Sequence, residues 1–262
     1  MKTNRSILVI FAVFFSMSIF VLSAGAHDFW ISMDKYHLDS HATGQGTAFS
    51  SHRFPAPADD VLAPERLEAV LFITPDGQRI PAAANGAGAY AAASPFAKAG
   101  TYVAVALPVN GFATKTPDGY QRGKSRKDVE SAIYCRFSQK FAKAVFSVGR
   151  PGGDAYAKPL GHAMEIIPLK DPSLLKTGDI LPVKVLLNGK PLRTNVYGTY
   201  AGFSESANTF AYTTRTDKQG VANIKMIHGG TWVLIAKEEQ PYEDPSTCDT
   251  RTWAASLTFG IQ

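Results

Sequence analysis

Short runs of alternating polarity, each ending on Pro, Gly, Asn or Asp, recur along most of this chain. That rhythm restricts it to a β fold, because successive side chains of a strand point to opposite faces. Residues 67–74 form one such run and stop at Pro75-Asp76-Gly77, a turn signal. Residues 100–107 alternate and stop at Pro108, and residues 142–148 stop at Gly149. The stretch 82–93 is rich in Ala and Gly and has helical propensity. Asn85, Gly86 and Gly88 interrupt it, so it reads as a turn between short strands. Residues 115–127 hold five basic side chains with Pro117 and Gly119. They read as a solvated loop leading into a short helix over 128–137.

The punctuation Arg150-Pro151-Gly152-Gly153-Asp154 suggests a domain boundary. Beyond it, strands are expected over 164–169, 180–187, 196–200, 221–227, 231–237 and 253–261. Asn188-Gly189-Lys190-Pro191 and Thr216-Asp217-Lys218-Gln219-Gly220 supply two of the turns. Strands this short and closely spaced predict an all-β protein of two sandwich-like domains. The first covers 27–150. The second, 160–262, has an immunoglobulin-like or transthyretin-like form.

Residues 1–26 read as a secretory signal. Lys2 and Arg5 precede an apolar run over 7–22, and Ala24 and Ala26 supply the small residues that signal peptidase needs. Cleavage after Ala26 predicts a periplasmic protein that begins at His27. Its new α-amine and its imidazole can then chelate one metal ion. The formal charge of +5 includes Lys2 and Arg5, too weak a surplus to argue for nucleic acid. No second long apolar run follows, so no membrane span is expected after cleavage. Only Cys135 and Cys248 occur. In an exported chain two cysteines either pair or stay buried as thiols, and pairing is the expectation.

Six histidines are present, four of them between residues 27 and 52. Borderline divalent ions such as nickel, cobalt, copper and zinc favour imidazole nitrogen. A site begun by His27 needs a further ligand. His52, in the turn-like segment His52-Arg53-Phe54-Pro55, is the first candidate. His162 and His228, each beside a glycine, come next. His37 and His41 read as solvent-facing, and Phe29 and Trp30 as core anchors. Nucleophile-elbow, phosphate-loop and His-Glu-x-x-His signatures are absent, so no enzyme activity is expected. The acidic residues Glu238, Glu239, Glu243 and Asp244 suit a solvated loop better than a calcium loop.

Several segments, in order, resemble the bacterial exported NikM-like family associated with nickel and cobalt uptake, a family classed as a domain of unknown function. They are His27-Asp28-Phe29-Trp30, Ser51-His52-Arg53-Phe54-Pro55, and Leu160-Gly161-His162 running into Met164-Glu165-Ile166-Ile167-Pro168. Asp171-Pro172, Gly178-Asp179, Leu186-Leu187-Asn188-Gly189-Lys190-Pro191 and Thr216-Asp217 continue the series. Gly230, Trp232 and Ala255-Ser256-Leu257-Thr258-Phe259 close it. The resemblance implies an exported, metal-associated β protein with two sandwich-like parts. The expected function is a soluble periplasmic protein that binds nickel or cobalt through His27 and His52 and passes the ion to an uptake transporter. Two other readings stay open. One is a copper-binding protein or copper-dependent oxidase with an N-terminal histidine brace. The other is a metal-free structural β module.

Overall fold

The computed structural model describes residues 27–86 and 88–261. The expected signal segment and its cleavage site lie outside the described residues. Within them the protein is all-β and sandwich-like, with a few single-turn 3-10 helices in its connections. Fourteen of the described strands join in one long sheet and four in a second. No helix among the described residues is long and apolar enough to cross a membrane.

The long sheet is packed on both faces because its central strands carry apolar runs with side chains on either side. In the strand Gly100–Pro108, Tyr102, Ala104 and Ala106 enter one core while Val103 and Val105 enter another. The strand Tyr134–Val148 does the same, sending Ala142, Ala144 and Phe146 one way and Val145 the other. Burial on both faces explains why the alternation along residues 103–107 is of larger and smaller apolar side chains rather than of polar and apolar ones. The smaller sheet contributes Met164, Ile166, Leu181, Val183, Val185 and Ile224 to one core. Trp232, Leu234, Leu257 and Phe259 of the long sheet face them.

The connection through 150–154 does not interrupt the sheet. Tyr134–Val148 pairs in parallel with Thr250–Ile261 from Arg136↔Thr250 to Val145↔Phe259. One core cluster therefore holds Ile73, Val103, Val105 and Val145 together with residues of the 160–262 portion. Cys135 and Cys248 form a disulfide at the open end of this crossover. The carboxylate of Asp249 accepts from the Cys135 amide at 2.7 Å and also pairs with Arg126.

Two local expectations are corrected. Residues 128–137 are not a helix. A 3-10 turn, Arg126–Asp128, is capped by Ser125, and the strand then starts at Tyr134. The extension is tertiary in origin: Tyr134 to Ser138 are paired on one edge with Lys115 to Gly111, and Arg136 to Ser138 on the other with Thr250 to Thr252. Nor is 115–127 a simple loop. Gly111–Thr116 and Gly119–Arg122 form a hairpin about Pro117-Asp118, with Thr114 and Thr116 buried.

Candidate metal centre

The strands Asp28–Met33 and Gln45–Ser51 form an antiparallel hairpin whose register pairs Asp28 with Ser51, Phe29 with Ser50 and Trp30 with Phe49. Continuing that register by one rung sets His27 opposite His52. Directly opposed residues have Cβ atoms about 5 Å apart. The two imidazole rings meet accordingly, with centroids 4.1 Å apart and planes tilted by 34°. Packing holds both ends of the rung. Trp30, three residues after His27, and Phe54, two residues after His52, lie edge to face, 5.6 Å between centroids. Both are buried with Val233 and Ile235 in one cluster.

Polar contacts set the orientation of the pair. The Lys140 ammonium donates to the His27 carbonyl at 2.6 Å. The buried Asp28 carboxylate pairs with Lys237 at 2.5 Å. His52 Nδ1 lies 3.2 Å from Asn208 Oδ1, and the Asn208 amide donates to the His52 carbonyl at 2.7 Å. An amide oxygen only accepts, so Nδ1 carries a hydrogen here, and in the neutral ring Nε2 is then the nitrogen with the lone pair. That is how a metal-ligating histidine is oriented by its outer partner. Partial burial, then His52, Lys140 and Arg122, hold the His27 imidazole below its ordinary pKa, against the opposing pull of Asp60. The downward shift favours the neutral form of the ring, the form that can ligate.

The other two candidate ligands lie elsewhere. His162 stacks on Phe141 at 5.2 Å, its Nδ1 buried without a hydrogen-bond partner. Burial lowers its pKa, and so does Lys143, while Glu165 opposes them. His228 lies flat on Tyr200 at 4.2 Å, and its carbonyl accepts from the Trp232 indole at 2.8 Å. His37 is exposed but bonds through Nδ1 to Ser147 Oγ at 3.0 Å. His41 sits in a left-handed turn conformation. Among the described residues no three His, Cys, Asp or Glu side chains gather as a metal-binding group. The His27–His52 pair therefore has two side-chain donors and, among the described residues, no third of these types beside it. The acidic residues near the end of the chain are engaged otherwise. Asp244 caps Ser246 and Thr247 and pairs with Lys127, and Glu243 pairs with Arg251.

Beside His27 opens a cavity of about 350 Å³. Arg66, Arg122, Arg136 and Lys140 line it, with Glu65 as its one acidic residue. Sequence reading missed this cluster, since its members come from three separate elements with no common motif.

Residues 24–240 match the model of a family described as a domain of unknown function, DUF4198. No curated protein sequence matches the chain. Solved structures give only distant likenesses. The D0-D1 domain of intimin is 15% identical, with 90% of this chain and 99% of that one covered, at a TM-score of 0.22. A Salmonella alpha-2-macroglobulin variant is 14% identical, covering 89% of this chain and 15% of that one, at 0.24. The Escherichia coli adhesin FdeC is 12% identical, covering 91% and 65%, at 0.23. Scores this low carry no argument about function, and the fold class rests on the sheets themselves.

Proposed function

The chain belongs to the DUF4198 family, and from its histidine pair we propose that it is an exported carrier of a divalent transition-metal ion, nickel or cobalt, which it hands to an uptake transporter. The observation that carries this reading is the 4.1 Å approach of the His27 and His52 rings across the mouth of one hairpin. On this reading, cleavage after Ala26 turns the His27 amide nitrogen into an amine. The amine and ring of His27 with the ring of His52 then make three nitrogen donors. Asn208 orients one ring and Lys140 anchors the main chain of the other. Three donors leave coordination positions open, which suits an ion that must be released.

Copper is the second reading, and the donor set favours it. Three nitrogens with no carboxylate hold divalent copper more tightly than nickel or cobalt.

Calorimetry on the mature protein tests both. One ion per chain is expected. Adding one residue ahead of His27, or His52→Ala, should weaken binding by more than about tenfold. Loss of a mere outer partner already costs about 10–100-fold at such sites. His37→Ala should leave affinity unchanged. Undiminished binding of nickel, cobalt and copper after both changes would refute the site.

A further inference from the structure

The surroundings of His27 are rich in cationic side chains and suit an anion beside the ion. Arg136 and Lys140 lie four residues apart on the strand Tyr134–Val148 and so share a face. Arg66 ends the 3-10 turn Pro64–Arg66, and Arg122 ends the strand Gly119–Arg122. All four reach the cavity that His27 borders. Among the described residues none of them forms an ion pair with a carboxylate. The Nε of Arg136 is buried without a hydrogen-bond partner. Burial and the neighbouring Arg122 lower the Arg66 pKa, against Glu65.

Gathering like charges and desolvating one guanidinium nitrogen is unfavourable unless a negative ligand completes the arrangement. We propose that this cavity binds a small organic polycarboxylate, which enters as the chelating partner of the ion at His27 and His52. Three arguments select that chemistry. Guanidinium groups meet carboxylates through paired, parallel hydrogen bonds, and three of them converge here. The cavity lies at the small end of ligand pockets, which run from about 300 to 1,000 Å³. Finally, a site with only nitrogen donors of its own leaves positions for oxygen donors, and among the described residues no carboxylate joins the two rings in a metal-binding group. His27 joins the two halves: its ring belongs to the pair and also lines the cavity.

The inference about the ion rests on the carrier reading, while the cavity can be tested apart from it. Mature protein is titrated with citrate alone, nickel alone, nickel with citrate, and inorganic phosphate. Citrate should bind without metal, and nickel should tighten it by at least tenfold. Arg66→Gln and Arg136→Gln should each weaken citrate at least tenfold, with Arg136→Lys intermediate because it keeps charge but loses the fork. Unchanged far-ultraviolet circular dichroism and urea midpoints check that the variants fold. Absence of citrate binding, wild-type citrate affinity in both glutamine variants, or tighter binding of phosphate than citrate would overturn the proposal. Nickel bound with no response to citrate would overturn it too, yet leave the carrier reading standing. Citrate bound by a protein that ignores nickel, cobalt and copper would uphold the cavity and sink the carrier.

Discussion

Asn208 bonds to His52 and is not one of the proposed donors, so it separates orientation from ligation. Asn208→Ala removes the acceptor that holds the His52 hydrogen on Nδ1. It should lower ion affinity by about 10–100-fold with the urea midpoint nearly unmoved. Calorimetry showing wild-type affinity would mean that the ring needs no such partner. A second residue-scale test concerns Lys143 and Glu165, buried together at 3.0 Å. Backbone amides of Leu160, Gly161 and His162 also donate to this carboxylate. Burial pushes the Glu165 pKa up, but Lys143 and these amides outweigh it, so the net shift is downward. A carboxyl lowered in the folded state contributes stability that is present above its unfolded value of about 4.3. That contribution is lost as pH falls through the lower folded value. Glu165→Gln leaves the Lys143 ammonium buried and unpaired, which should cost about 3–5 kcal/mol at neutral pH. Urea unfolding at pH 7 and in steps below pH 5 should show that gap narrowing as the wild-type carboxylate protonates. A constant difference across the series would contradict the assignment. Residue identity marked His27 and His52 in advance. It placed His162 and His228 next after His52, because a lone histidine beside glycine looks the same whether it is free to bind an ion or stacks on Phe141 or Tyr200.

At the scale of elements, one hairpin makes the site. The register Asp28↔Ser51 sets which side chain faces His27, and a slip of one residue sends every following side chain to the opposite face. Inserting a glycine between Ser51 and His52 should therefore abolish cooperative ion binding by the pair. It should disturb stability only modestly, since the paired rungs before it are untouched. Calorimetry and urea unfolding of the insertion variant measure both, and retained affinity would show that the rings do not act together. Trp30 anchors the same hairpin. Trp30→Ala should cost about 3–5 kcal/mol, as large-to-small changes in buried aromatic positions do. Strand runs and their turns were readable from alternation and from Pro, Gly and Asn. The early start of the strand at Tyr134 was not. Residues 134–138 have no strand signature of their own and are extended because partners lie on both edges.

Across the whole molecule, the parallel pairing of Tyr134–Val148 with Thr250–Ile261 ties the two halves of the chain, and the Cys135–Cys248 bond closes it. The cross-linked loop spans 113 residues. Restricting so long a loop in the unfolded chain is worth about 4–5 kcal/mol in the chain-entropy account. Reduction, or the paired change Cys135→Ser with Cys248→Ser, should lower unfolding free energy by up to that amount. A reduced protein as stable as the oxidised one would show that the unfolded chain is already constrained there. The β class and most strand positions were determined by local chemistry: alternation and turn residues act over a few neighbours and need no partner, whereas ligand type could nominate histidines but not pair them. Whether residues 27–150 and 160–262 share a sheet, which histidines meet, and where Arg66, Arg122, Arg136 and Lys140 gather were decided only in three dimensions. Pairing register and the crossover of distant strands bring together residues up to a hundred or more positions apart, and a single sequence carries no local trace of such contacts.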